Sequence, residues 1–215
     1  MSFHSYLESH YGVACELQRN ISRDPQMIAM LKEGPPAPSL VKSWMKDYGL
    51  FQGITGRDRD AVVRCFLGFA GSHRRQRTIS DDVVKTLYDG LFSALYSEVP
   101  RSWMSATSKL LWCLYPESIV IYDAFVLRAL VVMQRIDADL SGLDRIGSPP
   151  TIKMKADIER ATAYYLRYQI MVRRLKSVHA ATLDELRQRN HETYPYDIRI
   201  MDKLLWMLGN PKRDY

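Results

Sequence analysis

The chain has 215 residues, 47% of them hydrophobic, with a formal net charge of +6 and a pI near 9.2. That is enough chain for one large domain or two small ones around a sizeable core, and the positive balance favours a polyanionic partner, most simply nucleic acid. No apolar run approaches the length of a membrane span, and the opening Met-Ser-Phe-His-Ser-Tyr lacks the pattern of a secretory signal, so the expectation is a cytoplasmic protein with no membrane partner.

The three cysteines, Cys15, Cys65 and Cys113, form no CxxC pair and are odd in number, which argues against a disulfide framework or a zinc site and for buried thiols. The five histidines, His4, His10, His73, His179 and His191, are scattered without ligand or triad spacing. No metal and no cofactor is expected.

Residues 2–20 read as an amphipathic helix with Leu7, Tyr11, Ala14 and Leu17 on one face, and Ile28 and Leu31 mark a shorter helical piece. Gly34-Pro35-Pro36-Ala37-Pro38-Ser39 then makes a stiff extended link. Ser39 is placed to cap a helix carrying Leu40, Val41, Trp44, Met45 and Tyr48. A glycine-punctuated turn at 49–56 matches no phosphate-binding fingerprint. A helix over 57–70 follows, with Val62, Val63, Phe66, Leu67 and Phe69 suited to a core and Arg57, Arg59 and Arg64 on its open side.

Gly71-Ser72-His73-Arg74-Arg75-Gln76-Arg77 is the densest positive run in the chain. Arg74, Arg75 and Arg77 are the residue type that grips a DNA backbone, because a guanidinium offers two parallel donors to one phosphate; a solvated basic turn would look the same. A helix over 80–97 begins Ser80-Asp81-Asp82, acidic at the end where the helix dipole is positive. Glu98-Val99-Pro100-Arg101-Ser102-Trp103-Met104 then makes a tight connection in which Arg101 and Trp103 stand together. Such a pair suits a wedge or stacking position beside a flipped base, or a tryptophan packed under a turn.

The stretch 105–127 is the most informative. It begins as a helix with Leu110, Leu111, Cys113 and Leu114 facing a core and Trp112 and Tyr115 beside them, and Pro116 ends it. The β-branched run Ile119-Val120-Ile121 leads through Tyr122 to Asp123, which is placed to cap an apolar helix containing Phe125, Val126, Ala129 and Leu130. Lys109 is thus one tight turn from an aspartate at the head of the next helix. A cap and a solvated lysine would account for both residues. A carboxylate at a helix N-terminus is also well placed to meet positive charge, and a desolvated lysine is a usable nucleophile.

Residues 138–150 are polar and rich in glycine and proline. A long helix from about 152 to 178 carries Tyr164, Tyr165 and Tyr168 on an aromatic face, with Arg173, Arg174 and Lys176 near its C-terminal end. A short helix over 182–190 has Thr182 and Glu185 at the spacing of a reciprocal cap, and an apolar helix from Tyr196 is stopped by Gly209-Asn210-Pro211. No alternating strand pattern and no internal repeat is present. The fold class is all-α, in one or two closely packed helical lobes, with 39–135 and 1–38 plus 136–215 as the division if there are two.

Thr107-Ser108-Lys109-Leu110-Leu111-Trp112, Pro116, Ile119-Val120-Ile121-Tyr122-Asp123 and Val126 together resemble the helix-hairpin-helix DNA glycosylase superfamily, in its 8-oxoguanine-glycosylase-like branch. The closing Arg199-Ile200-Met201-Asp202-Lys203-Leu204-Leu205-Trp206-Met207-Leu208-Gly209 is similar to the terminal helix of such proteins. The resemblance implies a single glycosylase-like domain with a cleft between its lobes, working as a monomer on double-stranded DNA that carries a modified base. The base is flipped out and its N-glycosidic bond is cut. Asp123 falls where the family keeps its essential aspartate, and Lys109 where this branch keeps a lysine that attacks the sugar or contacts the departing base. Trp112, Tyr122 and Trp103 are the aromatic candidates for stacking on that base, and Arg101 joins the backbone contacts.

The chain departs from the family where Pro100-Arg101-Ser102-Trp103-Met104-Ser105 replaces the usual Gly-x-Gly of the hairpin. In the better-known oxidised-guanine enzymes the lysine also falls earlier relative to the aspartate, near Met104 here. A single-function glycosylase using Asp123 and water therefore stays open beside one with lyase activity. Both host damage and modified phage DNA, the latter implying a defence role, are within the substrate class. The competing expectations are a helical nucleic-acid-binding module without chemistry, and an interaction protein using the aromatic face around Tyr164 and Tyr168.

Overall fold

The computed structural model describes residues 2–20, 23–73, 78–190 and 194–210. Eleven helices and no strand occur among them: α1 (Phe3–Arg19), α2 (Asp24–Glu33), α3 (Pro38–Asp47), α4 (Gly56–Ser72), α5 (Asp81–Glu98), α6 (Met104–Leu114), α7 (Ala124–Ile136), α8 (Ala138–Ser141), α9 (Asp157–Val178), α10 (Ala180–Arg189) and α11 (Asp197–Gly209). The all-α expectation holds. No described helix is long and apolar enough to cross a membrane.

The chain divides into two compact units. One takes Met1–Ile21, Val120–Ser148 and Tyr165–Tyr215; the other takes Ser22–Ile119 and Pro149–Tyr164. The lobes expected from sequence cut the chain elsewhere: α2 belongs with α3–α6, and α7 belongs with α1 and α11. Hydrophobic periodicity shows which face of a helix is buried, and leaves open which other helix buries it.

In the unit holding α2–α6, α4 packs against α3 and α5, and α6 packs against α2 and α5. Trp44, Phe66, Tyr88, Phe92, Trp103 and Trp112 are buried in it. Asp24 is enclosed with them because its two oxygens accept from Trp44 Nε1 at 2.8 Å and Tyr48 OH at 2.6 Å. Ser80 caps α5 through Val83 N–H, with Asp81 and Asp82 in the first turn, as the residue order implies.

Three starts differ from the sequence reading. Proline at the first helical position, with its fixed φ, starts α3 one residue before Ser39, and no side chain caps it. The Thr182–Glu185 reciprocal cap is absent: Thr182 Oγ1 bonds His4 Nδ1 at 3.2 Å, and Glu185 pairs with Arg189 at 3.1 Å. The long helix begins at Asp157, whose Oδ2 accepts from the N–H groups of Lys153 and Met154 and ties the preceding residues into a turn. Within the stretch read as a loop, Asp137 caps the single-turn α8.

In the other unit α11 packs against α1 and α7, and Tyr6 OH donates to Leu204 O at 2.9 Å. Leu17, expected in the core, is half-buried, while Gln18 is enclosed. Cys15 and Cys113 are buried and Cys65 half-buried, all as free thiols. Burial pushes the Cys15 thiol up and the Cys65 thiol up to about 11, which leaves neither as a ready nucleophile.

Gly209 does more than end its helix. A Cβ there would lie 1.9 Å from the carbonyl oxygen of Phe125 and 3.1 Å from Ala129 N, so only glycine lets α11 approach the first turns of α7 this closely. Gly209→Ala is expected to lower unfolding stability by about 1–3 kcal/mol, the usual cost of overpacking, measured by denaturant titration. An unchanged midpoint would show that the two helices can separate at no cost.

Candidate functional site

Residues 119–123 belong to no helix or strand, and Asp123 itself is extended, with φ −142° and ψ 143°. Ile119, Val120, Ile121 and Tyr122 are nevertheless buried, so the backbone polar groups need partners. One face of α9 supplies them for residues 120–123. Tyr165 OH lies 2.7 Å from Val120 O and 2.8 Å from Gln169 Oε1, and Val120 N–H donates to that same Oε1 at 3.3 Å. Tyr168 OH donates to Ile121 O at 2.9 Å and accepts from Asp123 N–H at 3.3 Å. Positions 165, 168 and 169 share a helix face, so three side chains do the work of a neighbouring strand.

This settles what the aromatic face is for in this unit. Tyr165 and Tyr168 are 0% exposed. They are hydrogen-bonded core residues, and with Tyr164 also buried the face offers no docking patch.

Asp123 is the N-cap of α7, half-buried, with Oδ1 accepting from Phe125 N–H at 2.8 Å. The cap occupies one oxygen of a carboxylate that has a second to offer. Phe125 in turn meets Trp206 of α11 edge-on at 5.8 Å, and Lys203 Nζ lies 4.6 Å from the Trp206 ring centroid.

The most informative neighbours are ones the sequence reading passed over. Arg199, Asp202 and Lys203 lie within one turn of α11 and are only 5%, 2% and 8% exposed. Arg199 Nη1 donates to Asp202 Oδ2. Burial pushes the Asp202 carboxyl up to about 6; Arg199 and Lys203 oppose the rise and Asp123 adds to it. Tyr168 is raised well above the usual phenol range by burial, then by Asp202 and Asp123. Asp123, Tyr168 and Asp202 therefore act on one another. The signal was present in the sequence as three charges at i, i+3 and i+4 inside an otherwise apolar helix.

Lys109 belongs to the other unit. It is half-buried on α6, donates to Ser105 Oγ at 2.9 Å, and its ammonium lies 5.3 Å from the centroid of the Tyr48 ring. Tyr48 is itself held by Asp24, so Lys109 rests on an anchored aromatic face. Tyr48 and Asp24 were not singled out from sequence.

The other candidates fare unevenly. Trp112 is enclosed at 0% exposure and Trp103 at 2%, with Trp103 Nε1 donating to Val99 O at 2.9 Å. Stacking on a base needs an open ring face, and neither tryptophan has one; both fill the core. Tyr122 is buried with its ring 5.1 Å from that of Tyr168. Arg101 covers Trp103 at 5.1 Å and donates through Nη1 to Gln52 O. Arg74, Arg75 and Arg77 lie outside the described residues. Among the described residues no group of three or more His, Cys, Asp or Glu is placed to hold a metal ion. A surface depression lined by Gly142, Leu143, Asp144, Arg167, Ile170 and Met171 includes none of the site candidates.

The chain matches no protein-family model, no curated protein and no solved structure.

Tyr168→Phe removes the donor to Ile121 O and the acceptor for Asp123 N–H together. It is expected to cost about 1–3 kcal/mol of stability, because buried backbone groups are left unpaired, and to broaden or shift the Asp123 amide resonance. An unchanged amide spectrum around Asp123 would mean the tyrosine does not hold this segment.

Proposed function

We propose that the protein is a DNA glycosylase that flips a damaged or modified base from the duplex and cleaves its N-glycosidic bond, leaving an abasic site. The observation that carries this reading is Asp123: a half-buried carboxylate fixed by its own helix cap, with buried positive and negative groups behind it. Departure of the base leaves positive charge on the sugar, and a fixed carboxylate lowers the energy of that transition state without having to reorganise. The helical fold, the net charge of +6 and the resemblance at Lys109–Asp123 support the same reading. The helix-hairpin-helix architecture, with its two lobes and DNA cleft, belongs to the proposal, as does action on modified phage DNA.

Lys109 has a second role in it. A lysine amine that attacks C1′ displaces the base and forms a Schiff base, which permits strand cleavage. Where water attacks instead, Lys109 contacts the departing base, and the product is an intact abasic strand.

Asp123→Asn is the most direct test, since asparagine caps a helix as well as aspartate does and removes only the charge. The full chain would be incubated with damaged-base duplexes and with genomic DNA from varied phages, and abasic sites counted. Asp123→Asn is expected to lose about 10²-fold or more in rate with little change in stability. Absence of abasic sites on every DNA, with salt-sensitive binding indifferent to Asp123→Asn, would replace the enzyme with a nucleic-acid-binding module. Borohydride trapping separates the two roles of Lys109: a covalent adduct that disappears in Lys109→Gln is the expected result for the lyase, and abasic product without trapping removes Lys109 as nucleophile.

A further inference from the structure

Three charged side chains within one turn of α11, in a stretch where every residue from 198 to 205 is buried, need an explanation that stability does not provide. Desolvating an ion pair costs about as much as the pair returns, and well-packed apolar residues of the same volume serve a core as well or better. Asp202 adds a second anomaly. Its Oδ2 is taken by Arg199, but its Oδ1 is buried with no hydrogen-bond partner among the described residues. A buried carboxylate oxygen left unpaired is costly, and it is also where a proton would bind.

We propose that Asp202 is a positioning residue for Asp123, forming with Arg199 and Lys203 a buried ionic platform whose charge sets how well the head of α7 holds a positive transition state. This deepens the glycosylase reading and rests on it. The groups acting on Asp202 are Arg199 and Lys203 from its own helix and Asp123 from the cap of α7. Tyr168 from α9 feels both carboxylates. Along α11, Tyr6 of α1 and Arg128 of α7 engage the backbone carbonyls of Leu204 and Gly209.

The charge balance gives the direction. With both carboxylates ionised, the charges of Asp123, Asp202, Arg199 and Lys203 sum to zero. A proton taken from solvent onto Asp202 leaves the set at one net positive charge. A site that must stabilise a cationic sugar is then weaker. Because burial raises the Asp202 carboxyl to about 6, this happens as the pH falls through that value, well above the ordinary carboxylate range. The sign for stability is the opposite. The folded state holds the Asp202 proton more tightly than the unfolded state, so this group's contribution to stability rises as pH falls from about 6 toward the ordinary carboxyl range.

The first test needs no substrate. The full chain labelled with ¹³C-carboxyl aspartate is titrated by NMR. One carboxyl is expected to titrate near 6, to vanish in Asp202→Asn and to move to lower pH in Asp123→Asn. Absence of such a carboxyl, or one unmoved in Asp123→Asn, overturns the proposal, and the wild-type and Asp123→Asn titrations decide it even where Asp202→Asn fails to fold. The second test is single-turnover cleavage of a duplex carrying 8-oxoguanine, or whichever modified-base duplex yields abasic sites. Between pH 7 and pH 5 the wild type is expected to lose on the order of tenfold in rate, Asp202→Glu to keep that loss and Asp202→Asn to lack it. Cleavage with the same acid limb in wild type and Asp202→Asn sinks the role of Asp202 and leaves the glycosylase standing. The coupled titration with no cleavage of any duplex sinks the glycosylase and leaves the carboxylate linkage.

Discussion

The head of α7 depends on a short stretch of backbone that has no regular partner. Residues 120–122 are buried outside any helix or strand, with Asp123 half-buried after them, and backbone buried there without hydrogen bonds would be costly. Tyr165, Tyr168 and Gln169 answer that constraint from one face of α9. The arrangement has a consequence for Asp123: the same hydroxyl that donates to Ile121 O accepts the aspartate's own N–H. The carboxylate is therefore held from two sides, by its backbone through Tyr168 and by its side chain through the cap on Phe125. Moving it means breaking a part-buried hydrogen bond.

A second constraint comes from α11. Gly209 lets it close on the carbonyl of Phe125, and Trp206 closes on the ring of the same residue. Buried polar groups are thus gathered next to an apolar contact, with Asp202, Arg199 and Lys203 further back along the helix. A core built only for stability has no use for this ionic set, and the low dielectric that makes it costly also makes its charges effective on a neighbour. The cost and the effect share one cause, which is the exclusion of water.

The two residues that the resemblance brought forward have different settings. Asp123 is held by backbone and cap, within a cluster of titratable groups. Lys109 rests on Tyr48 and Ser105, in the unit built from α2–α6 and the start of α9. The tryptophans that sequence offered as stacking residues are core residues. A tryptophan in a helix or beside a turn has the same local pattern whether its ring is covered or open, and for Trp112 and Trp103 the covering side chains come from elsewhere in the chain.

The sequence by itself determined the elements. Ser80 before Asp81-Asp82, Pro116 after an apolar helix, and Asp123 before Phe125-Val126 act through atoms a few residues away, so their consequences are legible locally: helix, stop and cap stand where the residue order puts them. Tertiary structure decided the rest. The expected reciprocal cap at Thr182 was lost to His4, a residue far away in sequence. The glycine expected as a stop became the close contact of two helices. Tyr165, Tyr168 and Gln169 became the partners of a segment far upstream, and Asp202 came within electrostatic reach of Asp123. In each case the deciding atom lies across the fold. Burial and charge at a position depend on what arrives there from the rest of the chain, and local spacing carries no record of that.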